Sequence, residues 1–373
     1  MAAKYRVGII GRTERGDYGH DVDSVWLDVP EAEIVAVADE DAGGRARAQA
    51  RLGAPETYED YRVMLKYAKP DLVSIAPRWL DAHCEMLLAC AEAGVRGVLI
   101  EKPLCRTLEE ADAMVEACRR TGMKAAICHQ TRYSPRLAVV RQLIGEGRIG
   151  DLLELRARGK EDHRGGGEDL MVLGTHLMDL MRFLAGEPQW CFARVTEGGR
   201  PVTASDVREG AEGIGPLAGD AVTALYGFGG PTMGYFASDR TRHGASSRFG
   251  LHVYGTQGQI ALRTGSLPAC YLLEDPSWSP GQSGALWMPI TSTGVGGPEP
   301  LSDTSLRFGN ALIARDLVEC VERGRRPLGS IEDGRAALEM ILAVYASHRA
   351  GRPVPLPLED RRHPLTAAGG WLE

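Results

Sequence analysis

Between Tyr5 and Cys128, short apolar runs with polar ends alternate with longer mixed stretches. The run Tyr5–Ile10 (YRVGII) stops at Gly11, and a second run over 33–38 (EIVAVA) stops at Asp39, so both predict buried strands. An Ala/Arg/Gln-rich helix closed by glycine is predicted over 41–53, a strand over 71–76, a helix over 81–93 ahead of Gly94, and a strand over Gly97–Ile100. Thr107 and Glu110 have the capping-box spacing for a helix ending near Gly122, before a further strand over 124–128. Strands and helices in alternation predict a doubly wound parallel sheet with right-handed crossovers.

After Gly150 the pattern changes. Short alternating segments at Leu152–Arg158, 190–196, 221–228, 232–238, 250–254 and 259–263 follow one another through tight glycine turns, which predicts a mostly antiparallel sheet. Apolar residues at 173, 177, 180 and 184 predict one helix over 170–185, and two amphipathic helices are expected near 307–323 and Ile331–Ala350. A Pro-rich tail covers 353–364, and 294–300 (GVGGPEP) reads as a mobile loop. The expected organisation is an α/β domain over 1–127 and an α+β domain with a large open sheet over 128–373.

Composition narrows the function. Hydrophobic residues at 44% and charged residues at 25% are those of a folded globular protein. A net charge of −7 disfavours nucleic acid and anionic lipid as partners. The eight cysteines show neither CxxC nor Cys/His ligand spacing, so no metal and no disulfide framework is expected, and a reducing compartment fits best. With no signal-peptide core at the N-terminus and no apolar run long enough to span a bilayer, we read the chain as cytoplasmic.

The candidate chemistry begins at the end of the first strand. Gly11-Arg12-Thr13-Glu14-Arg15-Gly16 has the spacing of the dinucleotide fingerprint with Thr13 in place of the middle glycine. In that motif, backbone N–H groups at a helix N-terminus meet a diphosphate; a plain turn is the other reading. Asp39, about 28 positions after Gly11, ends the second strand where a carboxylate accepts hydrogen bonds from an adenosine ribose. With Glu40 beside it, it would repel a 2′-phosphate, which favours NAD over NADP. Glu101-Lys102-Pro103 ends the fourth strand, where doubly wound folds place ligands. Pro103 holds Lys102 in extended geometry, either at a functional site or as a surface tripeptide.

The order of these segments resembles the Gfo/Idh/MocA family of NAD(P)-dependent oxidoreductases acting on sugars and cyclitols. The resemblance runs through the strand before Pro77, Glu101-Lys102-Pro103, the segment His129 to Pro135 with Arg132 and Tyr133, and Gly174-Thr-His176-Leu-Met-Asp179, to His363-Pro-Leu365. It implies a Rossmann domain, an open antiparallel sheet that often builds dimers or tetramers, and a carbohydrate or cyclitol substrate. Lys102 matches the family lysine near the reacting hydroxyl and His176 the proposed general base; an ordinary imidazole, titrating at about 6.5, suits that task.

Many relatives carry Asp four residues before this histidine, where this chain has Val172. Asp179, three residues after His176 on the same helix face, is the candidate to orient it. Asp169 lies about 10 Å away along a continuous helix. Arg132, Tyr133, His163 and Arg164 are expected at the substrate, and the cluster from Asp239 through Arg242 and His243 reads either as a cationic contact for an acidic sugar or as a charged turn. Three readings stay open: an NAD-dependent oxidoreductase of a sugar, cyclitol or glycoside hydroxyl; a redox-neutral NAD-requiring glycoside hydrolase; and a non-catalytic sugar or dinucleotide sensor.

Overall fold

A computed structural model of the chain describes residues 4–240, 246–366 and 371. These divide into two units: Met1–Gln130 with Ala211–Gly215 and Ser305–Arg335, and Thr131–Gly210 with Pro216–Thr304 and Ala336–Glu373. The first unit therefore extends past the expected 1–127 boundary and takes in two returning segments.

In the first unit, β1 (Tyr5–Ile10), β2 (Ala32–Ala38), β3 (Glu56–Tyr58), β4 (Leu72–Ile75), β5 (Gly97–Ile100) and β6 (Lys124–Ile127) form a parallel sheet of order β3-β2-β1-β4-β5-β6. The helices between them are α1 (Ala42–Leu52), α2 (Tyr61–Ala68), α3 (His83–Glu92) and α4 (Leu108–Thr121). In register, Ile10 lies beside Ala38 and Ile75, and Ile75 beside Ile100. Gly11, Asp39, Pro77 and Glu101 thus leave one edge of the sheet, at the switch point where strand order reverses and such folds bind ligands.

The second unit contains α5 (Pro135–Gly145), β7 (Leu152–Arg158), α6 (Gly167–Val172), α7 (Gly174–Ala185) and β8 (Trp190–Glu197). The two-residue strands β9 (Arg200–Pro201), β10 (Arg208–Glu209) and β11 (Pro216–Leu217) precede β12 (Ala221–Gly227), β13 (Met233–Asp239), β14 (Gly250–Gly255), β15 (Gly258–Arg263) and β16 (Cys270–Leu273). A short α8 (Pro280–Ser283), β17 (Met288–Thr291) and β18 (Gly294–Val295) complete this run. The sheet order is β18-β17-β16-β15-β14-β7-β13-β12-β8-β19, antiparallel except for the β13–β7 pair. Its edge strand β19 (Val354–Pro355) comes from the Pro-rich tail, which escapes a strand reading because proline is tolerated only at sheet edges. Residues 294–300 are not loose: Gly294–Val295 pairs with β17, and Glu299 is held by Arg136 at 2.8 Å and by the Ser292 hydroxyl at 2.6 Å.

Two long helices return late in the chain. α9 (Leu306–Arg323) packs on β5 and β6; at Gly97 an added Cβ would lie 2.9 Å from Val321 Cγ2, so the glycine permits the close approach. α10 (Ile331–Ala350) backs the large sheet, with Tyr226 Oη donating to the Met340 carbonyl at 3.0 Å and the Ala193 N–H to Ser347 Oγ at 3.0 Å. Among the described residues no helix is long and apolar enough to cross a membrane.

Candidate functional site

The glycine loop differs from the expected one. No α-helix follows β1; residues 12–17 form a tight hairpin, and two 3-10 turns, Gly19–Asp21 and Val25–Asp28, lead into β2. Glu14, Asp17, His20 and Asp21 all have positive φ. The N–H groups of Arg12, Arg15 and Asp17 donate to carbonyls of Arg12 or Asp17, and that of Glu14 to Asp17 Oδ1. These donors are consumed inside the loop, so the expected helix N-terminus for a diphosphate is not formed here. The sequence pattern cannot reveal this, because the spacing of glycines is the same for either loop path.

Asp39 follows β2 directly, where the sequence placed it, and its carboxylate has partners within the chain. Its side chain is buried and braces the loop, accepting from Thr13 Oγ1 at 2.7 Å, Thr13 N at 3.2 Å and Asp41 N at 3.0 Å. Thr13, the residue that breaks the fingerprint, thus ties the loop to β2. Gly16 (φ 96°) crosses to the end of β4: its carbonyl accepts the Arg78 N–H at 3.1 Å, and a Cβ there would lie 2.4 Å from Trp79 N. Arg12 and Arg15 share Asp81 at 3.1 and 2.9 Å.

At the end of β5, Glu101 is fully buried and Lys102 nearly so. One Glu101 oxygen accepts the Lys102 N–H at 2.5 Å and the other pairs with His20 Nδ1; the Lys102–Pro103 peptide is cis. Burial pushes the Glu101 carboxyl up, but the His20 hydrogen bond and the charges of His20 and Lys102 outweigh it and hold it below its usual range. His83, also fully buried, places its ring nitrogens 2.7 Å from the Pro77 carbonyl and 3.0 Å from the Leu104 carbonyl, joining the loops after β4 and β5. Neither His20 nor His83 is among the residues expected from sequence; nothing in their spacing marks them, since their partners are backbone groups or lie some 80 positions away.

In the second unit, the expected helix over 170–185 is two helices, α6 and α7, broken at Leu173 (φ −117°, ψ −32°). The break frees Asp169 from the continuous-helix geometry. Its carboxylate accepts Ser238 Oγ at 2.5 Å, Glu161 N at 3.1 Å and Lys160 N at 3.3 Å, pinning the loop after β7. Burial pushes this carboxyl up against the lowering effect of those donors. Gly165, Gly166 and Gly167 let the same loop lie on backbone atoms of residues 218–220 and 240, where added Cβ atoms would come within 2.3–2.5 Å.

His176, on α7, is half-buried, its ring edge-on to Phe249 at 6.4 Å. Asp179 faces Arg132 through Nε–Oδ2 at 3.0 Å and Nη2–Oδ1 at 2.8 Å, both side chains buried, and the Arg132 guanidinium lies 4.6 Å from the Phe183 ring centre. Tyr133 is buried beside them in sequence. Arg164 pairs with Asp162 at 2.6 Å, whereas His163 is 85% exposed. Arg242 and His243 lie outside the described residues.

Residues 5–129 match the family model described as "Oxidoreductase family, NAD-binding Rossmann fold", and residues 141–356 that described as "Oxidoreductase family, C-terminal alpha/beta domain". The chain belongs to the Gfo/Idh/MocA oxidoreductase family. Levoglucosan dehydrogenase of Pseudarthrobacter phenanthrenivorans is 28% identical over 259 residues, which is 63% of this chain and 65% of that protein, a little under two thirds of its length. D-apiose dehydrogenase of Paraburkholderia graminis is 27% identical over 92% of this chain and 88% of its own. NAD(+)-dependent scyllo-inositol 2-dehydrogenase of Bacillus subtilis is 24% identical over 96% and 98%. A solved structure of levoglucosan dehydrogenase with NADH and levoglucosan shares the fold, with a TM-score of 0.77 at 22% identity over 95% of this chain and 100% of that one.

The first unit is this family's NAD-binding domain. Its residues fit a dinucleotide. A cleft of about 620 Å³ opens beside the β1 loop, bordered by Gly16, Gly19 and Gly44 and lined by Arg47, Arg51 and Arg78 as well as Asp17, Asp21 and Asp23, with Arg51 paired to Asp23. Glycine walls allow close approach, and guanidinium groups are suited to phosphate oxygens.

Proposed function

We propose that this member of the family oxidises a hydroxyl of a sugar, cyclitol or glycoside. The observation that carries the reading is Lys102, its N–H held by the fully buried Glu101 at the ligand-binding edge of an NAD-binding sheet. Bound NAD supplies the hydride acceptor. Arg47, Arg51 and Arg78 would hold its phosphates; Lys102 polarises the reacting hydroxyl oxygen, and His176 accepts its proton. Asp179 on α7, paired with Arg132 from the 3-10 turn Gln130–Tyr133, anchors the helix that bears His176, and Tyr133 and Arg164 contribute to substrate binding.

The protein is proposed to be cytoplasmic and to work as a homo-oligomer. Phe192, Leu225, Tyr235, Arg156, His252, Ala261 and Tyr271 form a cross-strand row on one side of the large sheet, with Phe192 40% and Tyr271 43% exposed. An aromatic row of this kind suits a second copy of the chain, which sedimentation would reveal as a dimer or tetramer.

The deciding experiment follows NADH absorbance and aglycone release together on a panel of cyclitols, aldoses and aryl glycosides. Absorbance growth that falls at least a hundredfold in Lys102→Ala is expected. Aglycone release with flat absorbance would instead favour redox-neutral cleavage, and tight NAD binding without turnover a sensor.

A further inference from the structure

His20 plays no part in the scheme above, yet its geometry is held from two sides. It lies on the 3-10 turn after the glycine loop in left-handed conformation (φ 47°, ψ 38°), which is uncommon for a side-chain-bearing residue. Asn310 on α9 has no exposed surface; its Nδ2 donates to the His20 carbonyl at 2.7 Å, and its Oδ1 accepts from Gln130 Nε2 at 2.9 Å. On the other side, His20 Nδ1 pairs with Glu101. Gln130, Asn310, His20, Glu101 and the Lys102 peptide form one hydrogen-bonded chain within the first unit, from the end of β6 to the end of β5.

A carboxyl with no accessible surface keeps a proton unless charge and hydrogen bonds compensate its lost hydration. For Glu101 the compensation is the His20 ring together with the charge and N–H of Lys102. The other charged groups lining the cleft around His20 are Arg78 from the loop after β4, Asp17 from the glycine loop, Asp21 and Asp23 from its own segment, Arg47 and Arg51 from α1, and Arg307 from α9. Of these, Asp23 pairs with Arg51 and Arg307 with Asp28. The cleft walls therefore supply both signs of charge, while the side-chain contact to Glu101 is His20.

We infer that His20 is a positioning residue for the reaction: it keeps Glu101 ionised and turned onto the Lys102 peptide, and so sets the backbone from which Lys102 reaches the substrate. The inference rests on the proposed role of Lys102. When His20 is lost, Glu101 takes up a proton, its oxygen no longer holds the peptide as firmly, and Lys102 loses its aim while the substrate pocket is unchanged.

The test is infrared difference spectroscopy of the full chain, His20→Ala against the parent at neutral pH, combined with steady-state kinetics. A protonated-carboxyl C=O band is expected in His20→Ala and is expected to vanish in His20→Ala/Glu101→Gln. With it, kcat should fall about ten- to a hundredfold while the substrate KM stays within about threefold, the size of a lost hydrogen bond to a charged group. Asn310→Ala releases the His20 carbonyl while leaving both side chains present; it should show the same band at lower amplitude and covers the case in which His20→Ala does not fold. Absence of the band in both variants, or its persistence in the double variant, overturns the inference, as does a band without loss of kcat. The infrared result needs no turnover, so a parent inactive on every polyol refutes the proposed function while the state of Glu101 is still decided.

Discussion

Truncating Arg132 removes a guanidinium from a buried carboxylate, and the cost follows from the geometry. The side chains of Arg132 and Asp179 are 6% and 1% exposed and meet through two short contacts, so both charges are held out of water and paid for by each other. Arg132→Ala leaves the Asp179 carboxylate without its guanidinium in a low-dielectric site, a loss of about 3–5 kcal/mol by analogy with other broken buried pairs. For a unit of about 200 residues, each kcal/mol lowers the midpoint by about 2–4 °C, so the thermal transition should fall by about 6–20 °C.

Scanning calorimetry of the parent, Arg132→Ala and the double variant Arg132→Met/Asp179→Leu checks this. The double variant removes both charges while keeping most of the volume, and should recover all but about 1–2 kcal/mol. Its remaining deficit reflects the lost stacking on Phe183, a ring that keeps Arg141 on it at 4.7 Å. A shift below about 2 °C in Arg132→Ala, or a double variant as unstable as the single one, would refute the view that the pair's value lies in mutual compensation of desolvated charge.

Burial pushes the His363 imidazole down to about 4, so between about pH 4 and 6.5 the unfolded chain binds more protons than the folded one. Stability should therefore rise with pH across that window by about 3 kcal/mol in total and level off above it; urea midpoints at about pH 5 and pH 7 should differ in the parent and much less in His363→Phe. Gly166 (φ 85°) would bring a Cβ to 2.5 Å from the Asp220 carbonyl carbon, so Gly166→Ala should cost about 2–5 kcal/mol in a thermal melt; an unshifted melt would mean that the loop after β7 is not seated as described. Thr13→Val removes the hydroxyl that donates to Asp39 at 2.7 Å and should weaken NADH binding about tenfold in a fluorescence titration. Unchanged affinity would separate the Thr13–Asp39 tie from the cofactor cleft.

Apolar runs and their breaks were enough to place β1, β2, β4, β5 and β6, and the alternating segments of the second half lie within one or two residues of β7, β8 and β12–β15. These elements are legible because each buries a local pattern of its own: continuous where both faces of a strand are covered, alternating where one is. The position of Lys102, between the end of a buried strand and a proline, was legible for the same reason, while its role comes from the family resemblance. What the sequence could not carry was any feature made by partners distant along the chain. The hairpin path of residues 12–17 depends on Asp39 and Arg78, the break at Leu173 accompanies an Asp169 carboxylate engaged with Ser238, and the edge strand β19 depends on β8.

The chain's own order of residues determined a parallel nucleotide-binding sheet followed by an open antiparallel one, and the oxidoreductase family to which both belong. Tertiary structure decided which polar groups are spent on holding loops and which stay available for chemistry. Asp39, set at the expected position for a ribose, is used to brace Thr13, while His20, which no spacing marks, reaches the buried Glu101. Hydrophobic periodicity is a local property that survives in one dimension; the saturation of a buried carboxylate is a count of neighbours in three, and exists only once the chain has closed around it.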